Sequence, residues 1–201
     1  MRNFIIIILA TLSMSLAGVD VGNPAPNFTL PSSSGKNISL SDFKEKTIVL
    51  EWINHGSPFV FRQYDSGRMQ KLQATAKAKG IIWLTICSSA LGKHGHMTPA
   101  QAEMIYSSKK SAATAYLMDE SGAVARSYGA TCTPEMFVIN PEGLVAYHGA
   151  FDDDRTSPDS GTIPLSTTKN YVQRAIEEIL EGKPVSIPKT ELFGSGISYA
   201  Q

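Results

Sequence analysis

Apolar residues fall in short runs separated by polar stretches rich in glycine and proline. Thr47-Ile48-Val49-Leu50-Glu51-Trp52-Ile53 carries apolar side chains on both parities. That pattern predicts a strand buried on both faces, in the middle of a sheet. Ile81 to Cys87 predicts a second buried strand and Thr114 to Asp119 a third. Between the first two, one helix is predicted from about Phe59 to Lys79, after Pro58 and closed by Gly80. Thr98-Pro99-Ala100-Gln101 predicts another helix start, with Thr98 as N-cap, Pro99 in the first turn and Gln101 completing a capping box. Ala123 to Tyr128 reads as a short helix. Glu135 to Asn140 and Leu144 to His148, joined through Pro141-Glu142-Gly143, read as a hairpin. Asn170 to Glu181 predicts a last helix with Val172, Ile176, Ile179 and Leu180 on one face. Upstream, Val21 to Leu30 is extended, Ile38-Ser39-Leu40 a short strand, and Ser41 to Lys44 a helical turn. Gly182 to Gln201 carries no strong pattern.

The resulting order is β-α-β-α-β-α-β-β-α. Strands alternating with helices and ending in a hairpin predict an α/β domain, a mixed central sheet with helices on both faces.

The N-terminus changes the domain picture. Met1-Arg2-Asn3 precedes the apolar run Phe4 to Leu16 and the small residues Ser15 and Ala17. A positive start, an apolar core and a small-x-small end predict a signal peptide over residues 1–17. The apolar run is shorter than the roughly 20 residues of a membrane span. The expected domains are therefore the signal peptide 1–17, a domain over 18–181 and a tail over 182–201. The expected location is outside the cytoplasm, periplasmic or extracellular, with no stable membrane span after cleavage. The chain holds 18 basic and 18 acidic residues, which gives no support for nucleic acid as a partner. Its two cysteines are Cys87 and Cys132. An oxidising compartment permits a disulfide, but a domain of this size does not need one.

Four segments, taken in order, carry a resemblance. The first is Val21-Gly22 with Ala25-Pro26 and Phe28-Thr29-Leu30, then Gly35-Lys36 and Leu40-Ser41-Asp42-Phe43. The second is the strand Thr47 to Trp52 running into Asn54-His55-Gly56-Ser57-Pro58-Phe59-Val60. The third is Tyr128-Gly129-Ala130-Thr131-Cys132-Thr133-Pro134, and the fourth the hairpin ending at Gly149-Ala150-Phe151-Asp152-Asp153. Together they resemble the redoxin family, the AhpC/TSA and peroxiredoxin-like proteins of thioredoxin-type fold, with an N-terminal extension. Within that family the stretch Glu51 to Val60 is similar to exported members that have cysteine where this chain has Ser57. Thr190 to Tyr199 is similar to their tail, again with serine, Ser195, at the cysteine. The related Cys-x-x-Cys proteins would place their thiols at Asn54 and Ser57.

The resemblance implies an antioxidant oxidoreductase, a thiol peroxidase or thiol-disulfide oxidoreductase. Its partner would be a thiol or disulfide protein, or a peroxide, and no cofactor is implied. It places Ser57 and Pro58 at the start of the helix after the central strand, where a helix N-terminus favours a thiolate. A serine hydroxyl does not do that chemistry, and the residue-level reading is that Ser57 caps the helix through its hydroxyl. Thr133-Pro134 resembles the cis-proline that faces the site. Cys132, beside it, is the best remaining thiol or a small buried turn residue. Cys87 is expected on the same rim, flanking the central strand on the opposite side from Cys132, about 10 Å away by strand spacing. That is beyond the reach of a static disulfide. The site residues expected are thus Cys132, Cys87 and Ser57, framed by Asn54, Pro58, Thr133, Pro134 and Ser195.

Two readings stay open. An oxidoreductase needs a reactive Cys132 thiol of lowered pKa. A catalytically degenerate redoxin, acting as a binding or scaffold protein through the groove near Pro134, has inert thiols. Three weaker features are His94 and His96, a pair without a strong zinc spacing, the run Asp152-Asp153-Asp154, which binds a cation or organises its loop, and the sequons at Asn27 and Asn37.

Overall fold

The computed structural model describes residues 18–155 and 168–200. The expected signal peptide lies outside the described residues. Strands β1 (Thr29–Pro31) and β2 (Asn37–Ser39) form a small antiparallel ribbon, followed by a 3₁₀ turn over Leu40–Phe43. The central sheet contains β3 (Ile48–Trp52), β4 (Ile82–Cys87), β5 (Ala115–Met118), β7 (Glu135–Ile139) and β8 (Val145–Gly149). Its order is β5-β4-β3-β7-β8. β3 is central, as its two-sided apolar pattern predicts, parallel to β4 and antiparallel to β7.

Alternation along the strands splits the core between the two sheet faces. Val49, Ile53, Trp83, Met136 and Val138 pack with Val60 and Tyr64 of α1 (Pro58–Asp65), Leu72 of α2 (Arg68–Ala78) and Ala102 of α3 (Pro99–Ser108). Leu50, Trp52, Leu84, Ile86 and Phe137 pack on the other face, with Phe28, Leu30 and residues of α4 (Ala123–Tyr128). The mixed sheet between helices is the thioredoxin-type arrangement expected. Among the described residues no helix is long and apolar enough to cross a membrane.

Three expectations are corrected. The single helix over 59–79 is two, α1 and α2, because Ser66-Gly67 interrupts it. Gly67 takes φ +74, a left-handed conformation that glycine adopts without a Cβ penalty, and the chain restarts from there. In α5 (Tyr171–Leu180), Val172, Ala175 and Ile176 are buried, but Leu180 is 47% exposed. The face turns away from the sheet at the last turn. Finally, the tail, where the sequence predicts no element, holds a short strand. Ser195–Gly196 forms β9, antiparallel to β6 (Cys132–Thr133), with Cys132 opposite Gly196 and Thr133 opposite Ser195. Two residues of pairing leave no periodicity to read.

The capped start at Thr98 behaves as predicted, and the structure adds a second at Asn170. Thr98 accepts from the Gln101 N–H in a full capping box, and Asn170 accepts from the Gln173 N–H at 2.8 Å.

Candidate functional site

Parallel β3 and β4 end on one rim of the sheet, and antiparallel β7 begins there, with Trp52 opposite Glu135. That rim collects the loop Asn54 to Ser57, the end of β4 at Cys87, and the approach Cys132-Thr133-Pro134. The Thr133–Pro134 peptide is cis.

Ser57 is fully buried at the N-cap position of α1, yet its hydroxyl makes no cap bond. It donates to the Thr133 carbonyl oxygen at 3.1 Å. The expected side-chain cap is therefore corrected: the serine spends its proton across the site, on the strand leading to Pro134. Thr133 in turn donates through its own hydroxyl to the Ser195 carbonyl oxygen at 3.3 Å. Ser57, Thr133, Pro134 and Ser195 are thus brought together, Ser57 and Ser195 each engaging Thr133.

Asn54 is buried at the same end, its Oδ1 accepting the Gly56 N–H at 2.8 Å and its amide meeting His94 Nδ1 at 3.3 Å. His96 meets Glu120 at 3.0 Å instead, so the two histidines serve different partners. His55 lies against Tyr116 and Tyr64 and makes no pair with Ser57. Burial, helped by Lys109, lowers its pKa to about 4, so the imidazole is neutral at pH 7.

Both cysteines are free and buried. They flank β3 on opposite sides, Cys87 at the end of β4 and Cys132 on the approach to β7. Cys87 donates to the Gly95 carbonyl oxygen at 3.4 Å, and burial raises its pKa. Cys132 donates to Glu135 Oε2 at 3.7 Å. Burial, and then the neighbouring Glu135 charge, push the Cys132 thiol up to about 12. The lowered pKa that the oxidoreductase reading requires of Cys132 is not what this closed site provides.

Two buried acids, Glu135 and Glu51, add to the site beyond the residues the sequence singles out. Glu135 is fully buried next to Pro134. One oxygen accepts the N–H groups of Thr131 at 2.8 Å and Cys132 at 3.1 Å, and the other meets His148 Nε2 at 2.7 Å. Glu51, fully buried in β3, accepts from Trp83 Nε1 at 2.8 Å and from the Tyr64 hydroxyl at 3.0 Å. Gln73 adds a third donor at 3.2 Å. Burial still outweighs these donors and raises its pKa to about 7. A lone acid in an otherwise apolar strand was the readable signal for Glu51; Glu135 had none beyond its place after the proline.

The acidic run resolves as a loop organiser. Asp152 takes Arg68 at 2.6 Å and the Gln63 amide at 3.0 Å, while Asp154 meets Arg62 at 3.3 Å.

Comparison with known proteins agrees with this architecture. A hypothetical protein of Sinorhizobium meliloti 1021 superposes with TM-score 0.79 at 25% identity, covering 92% of this chain and 97% of that one. An uncharacterized conserved protein of Geobacillus kaustophilus does so with TM-score 0.79 at 24% identity, over 90% and 93%. The thiol-disulfide oxidoreductase ResA of Bacillus subtilis strain 168 is 26% identical over 134 residues, 63% of this chain. The match spans 65% of that relative's length. The family model for AhpC/TSA matches residues 21–148, from the extended N-terminal segment through the cis-proline to His148 of the hairpin, and the chain belongs to the AhpC/TSA family.

Proposed function

We propose that this protein is an exported thiol-disulfide oxidoreductase of the AhpC/TSA type, with Cys132 as the working thiol. The observation that carries the reading is position. Cys132 stands two residues before Pro134, on the strand that receives the Ser57 hydroxyl, where the site's chemistry is framed. In the step proposed, the Cys132 thiolate attacks one sulfur of a partner protein's disulfide. The partner's S–S bond breaks, a mixed disulfide forms, and the departing sulfur leaves as a thiolate that takes up a proton. A small-molecule thiol then attacks the Cys132 sulfur of the mixed disulfide, and the partner's second sulfur leaves as a thiolate that takes up a proton. A second molecule of that thiol attacks the small-molecule sulfur now bonded to Cys132 and returns Cys132 as a thiolate. The partner disulfide is reduced to two thiols, and two small-molecule thiols are oxidised to one disulfide.

Glutathione disulfide tests the step. The expected outcome is one glutathione adduct, mapped to Cys132 by peptide mass and absent from Cys132→Ala. Export is tested separately, by an N-terminus that begins after Ala17 in protein recovered outside the cytoplasm.

A second reading has its own observation: both thiols have raised pKa values and the helix-start position holds Ser57. A site of that kind binds at the groove near Pro134 without turnover. It gains if Cys132 takes no adduct where a thiol of an unfolded control reacts.

A further inference from the structure

The strand that leads to Pro134 has a resident. Residues 193–199 of the tail run along it, and their contacts form a row rather than a single touch. Cys132 faces Gly196 and Thr133 faces Ser195 in antiparallel register. The Ile197 N–H donates to the Thr131 carbonyl oxygen at 3.0 Å, and Ser198 accepts the Ala90 N–H through its carbonyl oxygen at 2.9 Å. The Tyr199 hydroxyl donates to the Ala130 carbonyl oxygen, and Arg126 lies over the Tyr199 ring at 4.7 Å. At the other end Phe193 meets Phe59 of α1, ring centroids 6.1 Å apart.

The fit is closest at Gly194. A Cβ there would lie 2.4 Å from the Thr133 carbonyl oxygen, and the residue takes φ +154. Contact that close tolerates only glycine.

We infer that residues 193–199 are an autoinhibitory strap, a strand of the protein's own tail that closes Cys132 and must lift before the thiol reacts. The inference rests on the reading of Cys132 as the working thiol and adds its regulation. The strap is the low-stability element of the site. Its pairing is two residues long, the tail residues from 193 to 199 are mostly half-exposed, and Cys132 beneath is only 8% exposed. Short, weakly buried segments open locally without global unfolding. Lifting the strap lets water reach Cys132, and burial is the largest cause of that thiol's raised pKa. Closure thus withholds both access and thiolate. An incoming extended segment would gain the same backbone groups the strap gives up.

The test uses the full chain. In the wild type, Cys132 alkylation is followed alongside hydrogen exchange of the Ile197 amide at increasing sub-denaturing urea. Cys87 alkylation is the control for global opening. The expected result is that Cys132 and Ile197 open together, at lower urea than Cys87. Opening of Cys132 only with Cys87 overturns the strap. In Gly194→Val/Tyr199→Ala, loss of Ile197 protection and a rise of about tenfold or more in Cys132 alkylation are expected, with Cys87 unchanged. Lost protection with an unchanged Cys132 rate overturns the inference, and so does retained Ile197 protection. Failure of the oxidoreductase reading looks different: the strap opens and Cys132 alkylates, but no glutathione adduct forms.

Discussion

The Ser57 hydroxyl donates to the Thr133 carbonyl oxygen at 3.1 Å, joining the start of α1 to the strand that ends at cis-Pro134. Both residues are buried, at 0% and 2% exposure. Ser57→Ala removes the donor and leaves a buried carbonyl oxygen without this partner. The expected loss is about 1 kcal/mol, that of a buried neutral hydrogen bond with partial relaxation. Urea denaturation reads it as a lower midpoint with unchanged slope. A midpoint equal to wild type would mean that the bond contributes nothing.

Glu51 sets a pH dependence. Its pKa in the folded protein is raised from 4.5 to about 7, by burial against three donors. Between those values the folded state holds the proton and the unfolded state has released it. Stability from this group is therefore full below about pH 4.5 and is lost as pH rises through about 7, by roughly 3 kcal/mol. Glu51→Gln keeps an acceptor for Trp83, and the Tyr64 hydroxyl can turn to accept from the new amide. The difference in stability between wild type and variant is then expected to change across that window and to be flat above it. Denaturation series at several pH values check it, and a constant difference from pH 4.5 to 7 would remove Glu51 as the cause.

Much of the sheet was legible and much of the site was not, for physical reasons. β3 announces itself because a strand buried on both faces must be apolar at both parities, and a capped start such as Thr98 is local chemistry. The break at Gly67 is hidden in the sequence because α1 and α2 pack on the same side of the sheet, so the apolar pattern runs through the interruption. N-cap preference is local and points to a cap at Ser57, whereas its real acceptor, Thr133, is 76 residues away. The pairing of β9 with β6 and the Glu135–His148 contact are likewise long-range, and no window of sequence contains both partners.

Glu135 holds Cys132 in the thiol form by two routes, a hydrogen bond accepted at 3.7 Å and the charge behind it. Glu135→Gln removes the charge and keeps the shape. The Cys132 pKa is expected to fall below its present value of about 12 while burial keeps it above an ordinary thiol. At a fixed neutral pH, alkylation of Cys132 then rises about tenfold for each unit of fall. Hydrogen exchange of the Ile197 amide separates this from simple loosening, because lifting the tail from Thr131 loses that amide's protection and removing the charge alone does not.

The Arg68–Asp152 pair makes the sharpest stability prediction. Asp152 is fully buried and Arg68 is mostly covered, with 2.6 Å between them. Arg68 also donates to the Thr168 hydroxyl at 2.5 Å, so it ties the loop after β8 to the stretch before α5. Burial raises the Asp152 pKa, and Arg68 is the largest influence lowering it. Arg68→Ala therefore strands a buried carboxylate, at a cost of about 3–5 kcal/mol near neutral pH. The carboxyl can escape by taking a proton. Its pKa in the variant rises further above the unfolded value, so the variant's deficit is expected to shrink as pH falls toward 5 and to grow toward 8. Asp152→Asn in the Arg68→Ala background removes the stranded charge and should recover part of the loss at pH 8 but little at pH 5. A deficit that does not vary with pH would show that Arg68 acts through packing on Phe151, which lies 5.7 Å below its guanidinium, rather than through Asp152.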